Sequence, residues 1–198
     1  MDDVEIGEDY RDAVLPQSRW EKRKFVRCDF TEADLRGLVT QGCTFEECDF
    51  TRTDLGESKH DSTAFRSCVF DRTVLAEITW TGCSLLGSSF VDCRLRKIKV
   101  RETDFTLVSL GRADLRQCEL SGLRFREANL VEANLSGARL RDTDLRAARL
   151  LGTDLSETDL RGAKLDADAL VQAKFTGARV DLDTAIAFAA AHGLIISS

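Results

Sequence analysis

From Glu127 to Leu165 the chain reads EANLVEANLSGARLRDTDLRAARLLGTDLSETDLRGAKL, with a leucine at every fifth position. A period of five fits neither the 3.6 of an α-helix nor the 2 of a strand, so no ordinary amphipathic element carries it. A short, fixed self-similarity is instead the signature of a solenoid. The same beat extends back through Trp20, Phe25, Phe30, Leu35, Phe45, Phe50 and Leu55 and forward through Leu170, Phe175 and Val180. Between Trp20 and Val180 it shows no insertion, and only Thr40 and His60 are not apolar. Two residues before each bulky position sits a smaller one, such as Ala128, Ala133, Thr143 or Thr153. If each five-residue unit is one side of a square coil, both of these positions face inward and the other three face out.

A square coil requires positions twenty residues apart to stack. Sorted this way, Leu35, Leu55, Leu75, Leu95, Leu115, Leu135 and Leu155 form one column, closed by Phe175. A second runs Phe30, Phe50, Phe70, Phe90 and then leucines from Leu110, and a third is mostly phenylalanine from Phe25 to Phe125. The fourth collects the exceptions, Trp20, Thr40, His60, Trp80 and Val100, along with large residues in the small position, Leu38, Ile78 and Ile98.

This (Ala/Cys/Thr/Ser)-(Asp/Asn)-(Leu/Phe)-X-X tandem resembles the pentapeptide-repeat proteins over roughly residues 17–180. The resemblance implies an all-β solenoid, a right-handed quadrilateral β-helix. Dividing the repeats by twenty gives about eight coils and, at ~4.8 Å per coil, a rod roughly 40 Å long. Each coil depends on its neighbours and both ends need caps.

Residues 1–16 fall off the beat and carry six acids against one base, which reads as an acidic N-terminal arm before Pro16. The arm has neither the basic start nor the apolar centre of a signal peptide. No window approaches the ~18 apolar residues of a membrane span, so a soluble, cytoplasmic chain without a membrane partner is expected. After Val180 the beat stops. Asp183 reads as the N-cap of a helix through Ala191, ended by Gly193. Residues 181–198 thus form a C-terminal cap whose Leu182, Ile186, Phe188, Leu194, Ile195 and Ile196 carry more apolar surface than a solvated terminus needs. That surface either covers the last coil or meets its own copy across a two-fold axis.

All seven cysteines, from Cys28 to Cys118, occupy the small inward position, where a thiol packs as a small hydrophobe. Their spacing is that of the beat, without a zinc-like partner pair. His60 reads as a polar filler of the irregular column. With no phosphate loop, carboxylate pair or nucleophile beside a base, neither catalysis nor a cofactor is expected. Direct nucleic-acid binding is disfavoured, because the repeats have no basic excess and few aromatics to stack bases.

Charge is informative in its distribution. The net charge is −6, yet once the arm, Asp181 and Asp183 are set aside the remainder holds 26 acids against 27 bases. The faces led by the Phe30 and Leu35 columns hold fourteen acids against ten bases. They include Asp29, Asp34, Asp49, Asp54, Glu57, Asp71, Glu77, Asp92, Asp114, Asp154 and Glu157. The Asp34, Asp54, Asp114, Asp154 set reads as a ladder at the coil spacing; the same aspartates also suit local turn bonds.

The Ser84–Arg96 segment (SLLGSSFVDCRLR), Asp104-Phe105-Thr106-Leu107 and the helix VDLDTAIAFAAAHGL narrow the resemblance to the fluoroquinolone-resistance branch of the pentapeptide-repeat proteins. That implies a DNA mimic that binds DNA gyrase as a homodimer joined through its C-terminal ends, competes with duplex DNA, inhibits supercoiling and protects against fluoroquinolones. The acidic residues named above would be its gyrase-binding faces. A structural scaffold or adaptor, or an immunity factor against another gyrase poison, are the alternative readings.

Overall fold

The computed structural model describes residues 4–195. Within them, eleven three-residue strands run in chain order: β1 (Val4–Ile6), β2 (Arg19–Glu21), β3 (Lys24–Val26), β4 (Val39–Gln41), β5 (Thr44–Glu46), β6 (Lys59–Asp61), β7 (Ala64–Arg66), β8 (Val69–Asp71), β9 (Thr79–Thr81), β10 (Ser89–Val91) and β11 (Lys99–Arg101). Two helices follow, α1 (Ala167–Gln172) and α2 (Leu182–Ala191). All strand pairs are parallel and offset by twenty residues, as in Phe25 beside Phe45 and Trp20 beside Thr40. The sheets are β1-β3-β5-β7, β8-β10 and β2-β4-β6-β9-β11. Isolated bridges carry the same ladders onward, so one face has rungs at 4, 24, 44, 64, 84, 104, 124, 144 and 164. This is the quadrilateral solenoid that the period requires.

The coil count rises from eight to nine because the N-terminal arm is not an arm. Val4–Ile6 pairs with β3, Asp9 with Asp29 and Val14 with Asp34, so residues 4–16 are the first coil. Glu5 stands where the next coil has Phe25, which is why the beat is hidden there. Its carboxylate accepts from Tyr10 Oη and pairs with Arg23. The Arg23 guanidinium lies 4.8 Å from the Phe25 ring centre, and Tyr10 stacks on Phe30 at 4.8 Å. A charged cluster with its own aromatic lid therefore covers the open end of the core.

The corners explain the five-residue unit. Outside α1, the residue two after each bulky position of the coils has positive φ, as at Glu32 (62°), Leu107 (61°) and Ala147 (58°). Ten of the thirteen glycines sit at this corner, and none of its other occupants is β-branched or aromatic. That selection follows from the steric cost of the left-handed region. At many corners the small residue's N–H donates back to the bulky residue's carbonyl, as Ala33 does to Phe30 at 3.1 Å. This is a type II-like turn.

The inward positions form one continuous core. Phe25, Phe45 and Phe65 stack at 4.9 and 4.8 Å, and Phe30, Phe50, Phe70 and Phe90 at 5.0, 5.0 and 4.6 Å. Many small residues with a polar hydrogen donate to the carbonyl 23 positions back. Thr53 reaches Phe30 O at 2.7 Å, Thr153 reaches Leu130 O at 2.8 Å and Cys43 reaches Trp20 O at 3.3 Å. The same bond satisfies a buried hydroxyl or thiol, so Ala, Cys, Thr and Ser interchange there.

Two departures interrupt the regular rod. Residues 166–172 close one side as the helical turn α1 without changing the count, since Asp154 still bridges Lys174. More consequential is a split between the coil of residues 93–101 and that of 113–121. Among the described residues no backbone bond joins Leu95 to Asp114, Lys97 to Arg116 or Val100 to Glu119. The flanking coils keep theirs: Glu77 N donates to Arg96 O at 2.8 Å and Gln117 N to Ser136 O at 3.0 Å. The other two faces stay joined, through Phe90 N to Ser109 O at 2.9 Å and Phe105 N to Arg124 O at 2.8 Å. The result is a cleft of about 800 Å³ on the Leu95 and Leu115 face of the rod, and the missing bonds continue onto the Val100 face.

Helix α2 closes the C-terminal end. Its N-cap is Asp181 instead of the expected Asp183, and the Asp181 carboxylate accepts from Thr184 N at 3.0 Å and Gly162 N at 2.9 Å. Binding two amides at once ties the helix start to the last coil and holds the carboxyl below its usual range.

Candidate partner-binding faces

An aspartate before a bulky residue turns its carboxylate to the N–H two residues on, as Asp29 does to Thr31, Asp49 to Thr51, Asp54 to Gly56 and Asp154 to Ser156 at 2.8–2.9 Å. The turn-stabilising role is therefore real. What remains for a partner depends on the residue two positions on. In three Asp-Leu-Arg units the arginine folds back on the same carboxylate, Arg116 on Asp114, Arg146 on Asp144 and Arg161 on Asp159, at 2.6–2.7 Å, whereas Arg36 of the fourth turns to Asp54 and leaves Asp34 unclamped. Those arginines hold Asp144 and Asp159 down to about 2. Where Thr, Ser or Gly follows, no such clamp forms within the unit.

Neighbouring coils add further pairs. Asp54 meets Arg36 at 3.2 Å, Glu77 meets Lys97 at 3.0 Å, and Asp29 lies 3.6 Å from Arg11. Asp71 pairs with Arg72 at 3.0 Å. Of the eleven acids expected on these faces, Asp34, Asp49, Glu57, Asp92, Asp154 and Glu157 make no ion pair among the described residues. The proposed ladder also needs correction. Asp34 and Asp54 are adjacent rungs, but Val74 and Arg94 come next, the ladder then parts at the cleft, and Asn134 lies between Asp114 and Asp154. It is two short acidic stretches, not one ladder.

At the C-terminal end none of the ten α2 residues is buried. Phe188 meets Phe175 edge-on at 5.8 Å and stacks on His192 at 4.1 Å, so one side of the helix does rest on the last coil. Leu182 (74%), Ile186, Leu194 and Ile195 (96%) are exposed. Ile196 lies outside the described residues.

The fourth inward column holds a closed polar network that spacing alone does not reveal. His60, fully buried, lies 2.8 Å through Nδ1 from Thr40 Oγ1 and 3.0 Å through Nε2 from Ser58 Oγ. Ser58 donates to Leu55 O at 2.7 Å, and Thr63 Oγ1 is 2.8 Å from Thr40. With Ser58 so committed, a neutral imidazole carrying its proton on Nε2 donates to Ser58 and accepts from Thr40 through Nδ1. Burial pushes the His60 pKa down to about 3.

Among the described residues no group of three or more His, Cys, Asp or Glu is placed to hold a metal ion, and all seven cysteines are free. Among the described residues no helix is long and apolar enough to cross a membrane.

Comparison with known proteins agrees with this architecture. The chain is 47% identical over 121 residues to the pentapeptide repeat protein MfpA of Mycobacterium tuberculosis, an alignment covering 59% of this chain. It spans about half, 52%, of that curated relative's length. Its fold is similar to that of QnrB1, a plasmid-mediated fluoroquinolone resistance protein. For a trypsin-treated variant of QnrB1 the TM-score is 0.85 at 22% identity, covering 100% of this chain and 99% of that one. For full-length QnrB1 the score is 0.68 at 22% identity, over 98% and 99%. Pentapeptide repeats, in eight copies, match residues 25–59, 109–146 and 138–179, more than half of the sequence. The chain belongs to the pentapeptide-repeat family.

Proposed function

We propose that this protein binds DNA gyrase in place of duplex DNA, inhibits supercoiling and thereby limits the damage done by fluoroquinolones. The observation that carries the reading is that six unpaired carboxylates share two adjacent faces of one narrow rod. The sequence likeness to the fluoroquinolone-resistance branch supports it. Over roughly 40 Å, B-DNA presents about 23 charges, one per ~1.7 Å. Six acids do not reproduce that density, so the mimicry works by placing a few charges where a basic DNA groove expects phosphates. Electrostatic attraction then steers docking and weakens with salt.

Neutralising Asp49, Asp154 and Glu157 as Asp49→Asn, Asp154→Asn and Glu157→Gln keeps the turn-bonding oxygens and removes three charges. Exposed charge pairs contribute about 0.2–1 kcal/mol each, so the triple variant should bind gyrase roughly 3- to 150-fold more weakly at low salt. Equal affinity for variant and parent at low ionic strength would remove the electrostatic basis.

Dimerisation through α2 belongs to the same proposal, because a second rod end to end doubles the length offered to gyrase. Phe188→Glu should give a folded monomer by sedimentation. Since that ring also touches Phe175, Ile186→Glu, on the exposed side, is the cleaner companion. A variant pair that stays dimeric at micromolar concentration places the joint elsewhere.

A further inference from the structure

The cleft between the 93–101 and 113–121 coils coincides with a cluster of sequence features. Val100 stands between Trp80 and Leu120 in the inward column, a smaller residue between two larger ones. Ile98 fills a position made for a small residue. Closing the ladder would also stack Arg96 on Arg116 at the ~4.8 Å coil spacing, where like charges repel. Each occurs elsewhere in a closed ladder, as where Arg126 and Arg146 stack, so it is their coincidence that marks this place.

What the cleft presents differs from the rest of the rod. Both walls carry backbone groups that the regular ladder would pair: the amides of Leu95, Lys97 and Val100 on one side and of Asp114 and Glu119 on the other. An unpaired row of this kind is a template for another strand. Four of the ten bases on the two acidic faces gather here, Arg94, Arg96, Lys97 and Arg116. Lys97 is held by Glu77 and Arg116 by Asp114, whereas Arg94 and Arg96 make no side-chain bond or ion pair among the described residues. Beneath lies a small apolar void lined by Trp80, Leu95, Leu115 and Leu120. The buried Trp80 indole N–H has no acceptor among the described residues.

We infer that this cleft is a binding site for an extended acidic segment of a partner protein, which adds to the open edge as a strand. Strand periodicity matches the lining. Alternate side chains would reach outward to Arg94 and Arg96, and the others would turn in toward Leu95 and Leu115. The volume is that of a peptide-sized ligand site. A simple anion would use the two arginines but neither the backbone edge nor the apolar void. The site lies on one of the acidic faces, with Asp114 and Glu157 in its lining, but the inference does not rest on gyrase binding.

The test uses the full chain and a fluorescein-labelled eight-residue peptide alternating glutamate and valine, read by anisotropy. Saturable binding is expected, weakened at least about tenfold in Arg94→Glu/Arg96→Glu, whose side chains are exposed and do not enter the core. The same peptide with proline at every second position should not bind, because it cannot donate to the edge. Hydrogen exchange gives the second readout: the Leu95 and Lys97 amides should exchange freely in the protein alone and become protected with peptide. The inference is overturned by no saturable binding at about 1 mM, an affinity too weak for a built site. It is also overturned by affinity indifferent to the two arginines, by equal competition from inorganic phosphate or a lysine–valine peptide, or by Leu95 and Lys97 amides already protected in the free protein.

Discussion

Phe45→Ala is expected to lower stability by about 3–5 kcal/mol, the range for emptying a large aromatic site in a packed core. Phe45 is fully buried, stacked on Phe25 at 4.9 Å and Phe65 at 4.8 Å, and edge-on to Phe50 at 5.5 Å. Its removal therefore breaks a column in two as well as leaving a cavity. Because each coil contacts only its neighbours, the loss should first appear as fraying of the N-terminal coils. Hydrogen exchange resolved along the chain checks this. Amides before residue 65 should lose protection while those around Leu140 keep theirs. A uniform loss across the rod would mean that the coils unfold as one unit.

The second large effect is a loss of stability on mild acidification, set by His60. Its folded-state pKa of about 3 lies below the ordinary value of 6.5. In the unfolded chain the imidazole takes up a proton as pH falls through 6.5, while in the folded rod it stays neutral. Folding stability is therefore complete above pH 6.5, falls as pH drops toward 3, and levels off below that. At pH 5 the expected loss is about 2 kcal/mol, from ~1.4 kcal/mol per pH unit. Asp144 and Asp159, held near 2, lose their contribution only at lower pH, so the range from about 6.5 to about 4.5 isolates the histidine. His60→Leu should abolish the slope in that range, since Thr40 keeps Thr63 and Ser58 keeps Leu55 O as partners. Denaturant titrations of both proteins at about pH 7 and about pH 5 decide it. Equal slopes would mean that His60 is not the group responsible.

The period of five exposed the solenoid because it fixes which side chains share a column, and the columns drawn from Leu35 and Phe30 are the packed stacks of the structure. It failed where a residue other than a hydrophobe holds the inward place. Glu5 hides the first coil because its partners, Tyr10 and Arg23, are brought to it by folding. The helical turn at 167–172 keeps the twenty-residue count and so leaves no trace in the register. The cleft coincides with Val100, Ile98 and the Arg96 and Arg116 pair, none of which stands out in the sequence alone, since similar residues sit in closed coils elsewhere. For the acidic faces, sequence located the carboxylates, whereas which of them stay unpaired depends on arginines from the next coil, such as Arg36 beside Asp54.

The gyrase reading rests on occupancy of a DNA site, and one assay addresses it directly: supercoiling by purified actinobacterial gyrase, titrated with this protein in the presence and absence of excess linear duplex DNA. The account predicts inhibition that the added duplex relieves. Supercoiling unaffected at tens of micromolar, or inhibited equally with and without the duplex, would contradict it.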